Sequence, residues 1–441
     1  MLGSFNSLYK IPDLRKRLLF VLAMCIVYRV GGKVPVPGID AHALLSIMSG
    51  MGNTLFGLYD MFVGGSFSRM TIFALGIMPY ISASIIIQLL GSVVPYFQRL
   101  QKEGEEGRKK ITQLTRYGTV LLSMAQSYGI AVWLQSTEGS GGMPIVRAPG
   151  IRFIFLTMIT ITAGTIFLMW LGEQLTEHGI GNGISMIIFF GIVDAFPFAL
   201  KSEFSVFMTG ERSIFVELFL LALMVAITAF IVVLTQGQRR IRVQYPKKVI
   251  GRKIYGGQST YIPLRVNTAG VIPIIFAQAI MFVPQTIAQL TPSEFMKNTI
   301  APYFNYTSVV YWFFYGAMIL FFTYFYTAIV FNPVDLADNL KKYGAVIPQK
   351  PPGKKTAEHI DRILTRITLP GAVALAFVAI MPYFITKIFK VNYAYAQFFG
   401  GTGLLIVVGV ALDTLQQIET HLLMRHYDGF MKKGRLQGRR F

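Results

Sequence analysis

The chain has 441 residues, of which 53% are hydrophobic and 14% charged, and its formal net charge is +20. Soluble proteins are normally about a quarter charged, so this composition excludes an ordinary water-soluble enzyme and predicts a membrane protein. The single cysteine, Cys25, excludes an intrachain disulfide. The sequence shows no metal-ligand spacing, phosphate-binding glycine loop or nucleophile–base pair, so we expect no metal, no cofactor and no enzymatic chemistry.

Ten apolar runs are long enough to cross a membrane, since a span needs about 20 residues. Span one follows a basic stretch like that of a signal peptide, but no small-residue cleavage site comes after it. We therefore expect it to be retained, with Arg29 snorkelling at its far end. The spans, numbered one to ten, lie near residues 16–33, 71–95, 117–135, 151–172, 184–200, 214–235, 268–290, 309–331, 368–389 and 398–421.

Most of the 41 basic residues fall on one side of the predicted membrane. They precede span one, follow span ten and occupy the loops after spans two, six and eight. The positive-inside rule places these segments, and with them both termini, in the cytoplasm.

A Gly-x-x-Pro unit occurs in span two, as Gly76-Ile77-Met78-Pro79, and again in span seven, as Gly270-Val271-Ile272-Pro273. Both Gly and Pro disturb a helix, and the matched positions predict a repeat of five spans, inverted because five is odd. Coincidence is the alternative, because both residues are frequent in membrane helices. The expected organisation is an N-terminal half at 1–200, a hinge loop at 201–213 and a C-terminal half at 214–441.

A glycine-rich stretch at 60–69 precedes span two on the side opposite the termini. It is too short to span a membrane and too rich in glycine for a sturdy helix. Two readings stand: an ordinary surface loop, or a segment that re-enters the membrane where its backbone is buried in protein.

Isoleucine recurs near the disturbed helices. Ile77 and Ile81 lie one helical turn apart. Ile184 and Ile188 repeat that spacing, and Ile275 has the same offset from its glycine as Ile81. Rings of bulky apolar side chains can close a pore by dewetting, although isoleucine in a span is more often packed or lipid-facing. The spans lack a central carboxylate pair or histidine cluster, which disfavours an ion-coupled transporter.

Two long basic loops, 236–267 and 332–365, lie on the predicted cytoplasmic side. In the first, alternation at 237–243 followed by Pro and Gly predicts a β-hairpin. A basic hairpin suits a phosphate backbone or an acidic partner. The alternative is that its charges set topology or touch anionic lipid.

At these residues the chain resembles the SecY family, the pore subunits of the bacterial protein-conducting channel. The resemblance covers nearly the whole length. It rests on Val34-Pro35-Val36-Pro37-Gly38-Ile39-Asp40, Ala74-Leu75-Gly76-Ile77-Met78-Pro79-Tyr80-Ile81-Ser82-Ala83-Ser84-Ile85-Ile86, Leu171-Gly172-Glu173-Gln174, Gly179-Ile180-Gly181-Asn182-Gly183-Ile184-Ser185, Gly237-Gln238-Arg239-Arg240-Ile241, Phe331-Asn332-Pro333 and Ala337-Asp338-Asn339-Leu340-Lys341-Lys342.

The resemblance implies an all-α membrane protein with ten transmembrane helices in two inverted five-helix halves around a central pore. It implies a bacterial plasma (inner) membrane location, a path for unfolded polypeptide and lateral release of apolar segments. The implied partners are the small subunits SecE and SecG, the SecA motor, a ribosome whose rRNA is touched only through docking, the moving polypeptide and anionic lipid.

The family's functional positions map onto four sets of residues. The pore ring falls on Ile77, Ile81, Ile184, Ile188, Ile275 and Ile406. The plug falls on Asp60, Met61, Phe62, Val63, Gly64, Gly65, Ser66, Phe67, Ser68 and Arg69. The lateral gate falls on Ser82, Gln126 and Gln278. The docking set comprises Arg239, Arg240, Arg252, Lys253 and Lys350.

One departure from the family concerns the second loop, where an arginine usually stands between two Pro-Gly elements. Pro351 occupies that place here, next to Lys350. The ammonium group of Lys350 does not reproduce the two-pronged hydrogen bonding of a guanidinium group, so the resemblance does not extend coupling to SecA to this position. We predict a polypeptide channel; the rival readings are a secondary transporter with broken helices and a non-conducting membrane scaffold or receptor.

Overall fold

The structure is a computed structural model that describes residues 12–50, 55–137, 144–209, 212–245, 247–250, 253–256, 259–290, 303, 308–391 and 393–433. Its helices are α1 (Pro12–Gly31), α2 (Ala41–Gly50), α3 (Leu55–Phe62), α4 (Met78–Val93), α5 (Pro95–Lys102), α6 (Glu105–Ser136), α7 (Ile151–His178), α8 (Gly183–Met208), α9 (Ile214–Gln236), α10 (Ile272–Leu290), α11 (Val309–Val330), α12 (Pro333–Lys342), α13 (Lys354–Phe389), α14 (Tyr393–Ala396) and α15 (Gly401–Lys433). Between α9 and α10 lie the strands β1 (Gln238–Gln244), β2 (Lys247–Ile250), β3 (Lys253–Gly256) and β4 (Ser259–Arg265).

Each of the ten predicted spans contains a helix. Within the described residues, six helices are long and apolar enough to cross a membrane, and the bent pair of α4 and α5 makes a seventh. Helices α1 and α6 begin with charged turns, which lowers their apolar content. The predicted all-α membrane fold is confirmed. The ten helices are, in order, α1, α4, α6, α7, α8, α9, α10, α11, α13 and α15.

Local capping signals fix several helix starts. Ser308 accepts a hydrogen bond from the Val310 amide at 3.2 Å, which satisfies an end group of α11. Asn332 caps α12 in the same way, and Pro333 occupies the first helical position, where its missing N–H costs nothing.

The two Gly-x-x-Pro units begin helices rather than interrupt them. Gly76 and Gly270 have φ angles of +56° and +64°, a left-handed conformation that glycine adopts without strain. In each case the helix begins two residues later, and its second residue is the proline. Proline is tolerated there because the first-turn N–H groups have no partner within the helix.

Span two is therefore shorter than its predicted range, 71–95. Thr71 forms an isolated β-bridge with Pro35, and residues 72–77 form turns. Helix α4 covers only Met78–Val93, and α5 follows at an angle of 97°. The bend falls at Val94, whose extended backbone is the conformation that a following proline, Pro95, favours.

Arg29 lies at the end of α1, where the sequence predicted a snorkelling side chain. It instead forms an ion pair with Asp194 of α8. A partner so distant in the chain is not visible in local sequence, and the pair joins the first and fifth spans.

The chain divides into two compact units. The first comprises Met1–Ser84, Thr112–Lys201 and Ile406–Phe441, and the second comprises Ile85–Ile111 and Ser202–Leu405. Residues 201–208 of the predicted hinge loop continue α8, which ends at Met208. The division into sequence halves and the hinge itself stay predictions.

The predicted β-hairpin is confirmed. Strands β1 and β4 pair antiparallel, with Gln238 opposite Arg265 and Gln244 opposite Ser259. Between them in the chain, β2 and β3 form a second antiparallel pair. The hairpin returns the chain to Val266, whose amide donates to the Gly237 carbonyl at 2.8 Å, six residues before α10 begins.

Candidate functional site

Five of the six predicted ring residues lie in the first unit, each at the N-terminal end of a helix. Ile77 immediately precedes α4, and Ile81 lies in its first turn. Ile184 and Ile188 lie in the first two turns of α8, and Ile406 lies in the second turn of α15. Ile184 is half-buried and the other four are buried.

The start of α8 is tied to α15 by a polar contact. The side chain of Asn182 accepts a hydrogen bond from the Ile184 amide at 3.1 Å, which caps the helix. The preceding Gly181 amide donates to Gln417 Oε1 of α15 at 2.7 Å. Because α15 also carries Ile406, this bond fixes two ring-bearing helices against each other.

The sixth ring residue, Ile275, lies in the first turn of α10 in the second unit and is buried. The turn before this helix is held by Asn267, whose side-chain amide donates to the Gly270 carbonyl at 3.1 Å. Ile275 thus lies at the same distance from its left-handed glycine and its helix start as Ile81 does in the first unit. The closed ring of all six isoleucines stays a prediction.

The predicted plug segment, 60–69, has a compact internal structure. Asp60 lies in the last turn of α3, where its carboxylate accepts the Ser68 amide at 2.8 Å and its backbone carbonyl accepts the Gly65 amide at 2.8 Å. Gly64 and Gly65 both have positive φ angles, so the chain reverses there. The buried members are Met61, Phe62, Val63, Ser66 and Phe67. That burial argues against an ordinary surface loop.

The three predicted gate residues lie on three helices. Ser82 is half-buried on α4, Gln126 is half-buried on α6, and Gln278 is buried on α10. Within the first unit, α4 and α6 are neighbours. A Cβ at Gly118 of α6 would lie 3.4 Å from the Cβ of Ala83. The gate role of these side chains stays a prediction.

Strand β1 carries its arginines on two faces. Arg240 and Arg242 lie on the exposed face, and Arg242 stands opposite Tyr261 of β4. Arg239 lies on the other face, in line with the buried Ile241. The sequence prediction included Arg240 but missed Arg242 and Tyr261, which become neighbours only through the strand register.

Of the remaining predicted docking residues, Arg252 lies outside the described residues and Lys253 begins β3.

The two long basic loops share one hydrophobic core. Gln244 at the end of β1 and Val346 in the second loop exchange two backbone hydrogen bonds of 2.9 Å each. The buried residues of this cluster come from the hairpin, α12, the turn after it and α13, and they are Ile241, Val243, Leu264, Leu340, Ala345, Ile347 and Ile360. We call these joined segments, 238–265 and 333–367, the cytoplasmic module, after the side of the membrane on which the sequence predicts them to lie.

Within the cytoplasmic module, two predicted docking residues come together. Lys350 and Arg239 both lie near His359, in the part of α13 before predicted span nine. Burial and these nearby positive charges, with that of Arg362, lower the pKa of His359. Pro351, at the position of the family's usual arginine, accepts a hydrogen bond from Thr356 Oγ1 at 2.8 Å. Its carbonyl therefore helps to fix the start of α13, and Lys350 supplies an exposed cation beside it.

Comparison with known proteins decides the family. The SecY family model matches residues 71–415, which is more than half of the chain. This chain belongs to the SecY family. The resemblance inferred from the sequence motifs is thereby confirmed.

Relatives in the SecY family match over nearly the full length. The protein translocase subunit SecY of Aquifex aeolicus is 44% identical, over 97% of this chain and 99% of its own. The corresponding Escherichia coli K12 subunit is 47% identical, over 97% and 96%. That of Thermotoga maritima is 42% identical over 100% of both chains.

Solved structures support the SecY fold. A structure described as that of a protein conducting channel has a TM-score of 0.65, covering 92% of both chains at 18% identity. Sec61 in the canine ribosome-channel complex from the endoplasmic reticulum has a TM-score of 0.60, with the same coverage and identity. At this identity the likeness concerns the fold alone.

Proposed function

We propose that this chain is the pore subunit of a bacterial translocase, which conducts unfolded polypeptides across the plasma membrane and releases apolar segments sideways into lipid. The observation that carries the proposal is its 42–47% identity to protein translocase subunits over 97–100% of the chain. The chain makes and breaks no covalent bond, and the energy for transport comes from a partner in the cytoplasm, where both termini lie.

Three parts of the chain have separate roles in the pore. The six isoleucines form an apolar gasket around the moving polypeptide, because uncharged β-branched side chains exclude water without binding ions. The segment 60–69 closes the resting channel and leaves when it opens. Ser82, Gln126 and Gln278 border the seam through which apolar segments reach lipid. Burial of Ile81 and Ile275 at equivalent helix starts supports this assignment.

The cytoplasmic module is the docking surface for the partner that drives transport, either SecA or a ribosome, with rRNA contacted only through a docked ribosome. Its support is the exposed arginine face of β1 and the rigid core beneath it. SecE and SecG are the small membrane partners, and the remaining basic residues touch anionic lipid.

Photocrosslinking tests the polypeptide path. With a photoreactive residue at position 81 or 275, a secretory chain stalled in transit should form an adduct at both positions, because both side chains line the gasket. Position 86, whose isoleucine is exposed on the same helix as Ile81, is the control and should form no such adduct. Absence of an adduct at both ring positions would contradict the proposed path.

The exposed arginine face of β1 leads to a separate prediction about ribosome binding. We expect Arg240→Ala to weaken ribosome binding several-fold and to lower the slope of log affinity against log salt by about 1, as loss of one phosphate contact does. Titration of vesicles carrying the channel with ribosomes at several salt concentrations measures both quantities. Gln238→Ala alters a neutral residue on the same strand face and should change neither. An unchanged slope in Arg240→Ala would remove this residue from the docking surface.

A further inference from the structure

The segment 60–69 is held from one side by a tyrosine of the first span. Tyr28 of α1 is buried, and its hydroxyl donates a hydrogen bond to the Val63 carbonyl at 3.1 Å. The Tyr28 ring stacks on Phe73, with ring centroids 6.2 Å apart and planes 10° from parallel. This stacking fixes the direction of the hydroxyl, so the bond to Val63 requires no reorganisation of α1.

A second tyrosine holds the segment from the opposite end. Tyr59 lies one residue before the segment, and its hydroxyl donates to the Leu75 carbonyl at 2.7 Å. Its ring meets that of Phe67 edge-on, at 5.3 Å between centroids. Gly76, which follows Leu75, leaves room for Val63, because a Cβ at Gly76 would lie 3.1 Å from both Val63 methyl groups.

The third side is the backbone of α8, which approaches through a glycine. A Cβ at Gly191 would lie 2.3 Å from the Phe62 carbonyl oxygen and 3.2 Å from the Tyr28 hydroxyl. A Cβ at Gly64 would lie 3.2 Å from the Gly191 Cα, so the two backbones touch. Any side chain at Gly191 would have to displace the segment.

We propose that Tyr28, Gly191 and the turn of Leu75 and Gly76 form a socket that sets how readily the segment 60–69 leaves its resting position. The proposal rests on the proposed function, in which this segment is the plug, and it identifies the positioning residues that the plug must release. The socket joins the plug through backbone carbonyls and apolar contacts, without an ion pair to a socket residue among the described contacts. Such contacts are individually weak, which suits a segment that must leave and return.

Thiol labelling of the resting channel tests the socket. Ser66 is buried in the plug, so Ser66→Cys in a Cys25→Ala background should react slowly with N-ethylmaleimide. Membrane vesicles carrying the assembled channel, without any polypeptide, are the sample. Tyr28→Phe keeps the ring and removes one hydrogen bond, so we expect labelling about fivefold faster. Gly191→Ala forces the segment outward, so we expect an increase of about tenfold or more.

Two controls separate release of the plug from general loosening. Tyr311→Phe alters a buried tyrosine of α11 in the other unit and should leave the Ser66→Cys rate unchanged. A thiol at Ser123→Cys, buried in α6, should stay unreactive in every variant. Equal rates with and without Tyr28→Phe, or a parallel rise at Ser123→Cys, would overturn the socket.

The labelling result is independent of transport, because no polypeptide is present. Faster labelling without crosslinks at positions 81 and 275 would leave the socket in place and contradict the polypeptide path. Crosslinks at positions 81 and 275 without a change in labelling would support the polypeptide path and contradict the socket.

Discussion

Membranes that contain the Ile81→Gly or Ile275→Asn channel should leak ions at rest, by about tenfold or more over the unsubstituted channel. Both side chains are buried at helix starts. A buried isoleucine contributes about 1.5–3 kcal/mol of apolar transfer free energy. In the proposed pore, this free energy keeps water out of the constriction, so its loss lowers the barrier to ions by a similar amount. A barrier lower by about 1.4 kcal/mol raises the rate of ion passage tenfold. Ion flux from loaded vesicles, or conductance across a planar bilayer, measures the leak.

The matched controls for this experiment are Ile86→Gly and Ile86→Asn. Ile86 lies on α4 with Ile81 but is 47% exposed, so these variants carry the same helix-propensity cost without touching the gasket. A leak in the Ile86 variants as large as that in Ile81→Gly would mean that helix damage, and not a lost seal, opens the membrane. Conductance unchanged in both ring variants would count against the pore itself.

Arg212→Ala should destabilise the second unit by about 3–5 kcal/mol, the usual cost of leaving a buried charge without its partner. Arg212 is only 13% exposed and pairs with Glu203, which is buried near the end of α8. It also meets Glu217 of α9 at 3.2 Å and donates to the Lys390 carbonyl after α13 at 3.1 Å. Removing the guanidinium would leave two carboxylates close together at the junction of three helices.

Thermal unfolding of the purified channel, followed by loss of the folded peak in size-exclusion chromatography, measures this effect. Arg152→Ala removes an exposed arginine at the start of α7 and should hardly change the midpoint. Adding Glu203→Gln to Arg212→Ala should recover part of the loss, because a buried amide costs less than a buried carboxylate. An Arg212→Ala midpoint equal to that of Arg152→Ala would show that the cluster contributes no stability.

Patterns of local sequence predicted the elements of this fold well. Apolar runs gave the ten helices, and alternation in 237–243 gave the hairpin, because each depends on neighbours a few residues away. The error in span two has a local cause too. In the sequence, Gly76 and Pro79 suggest breaks within a helix, whereas a left-handed glycine followed by a first-turn proline is a signal for a helix to begin.

The contacts that join distant segments could not be predicted in the same way. Arg29 and Asp194 meet because α1 and α8 pack together, and Tyr28 reaches Val63 for a similar reason. The shared core of the two long basic loops had only a faint signal in the sequence, the apolar pair Val346 and Ile347 within the second of these loops. The assignment of ring and gate positions came from the family resemblance, since the spacing of isoleucines alone does not distinguish a pore-lining residue from a packed or lipid-facing one.

The placement of the ring residues has an electrostatic consequence. Every one of the six lies at or within two turns of the N-terminus of its helix. The aligned peptide dipoles leave about half a positive charge at such helix ends. The amides of Ile81, Ile184 and Ile275 are already hydrogen-bonded, to the Ile77 carbonyl, the Asn182 side chain and the Val271 carbonyl, so it is the dipoles that carry this charge. In the proposed pore these helix ends would favour anions, so we expect the leak of the ring variants to carry chloride more readily than potassium.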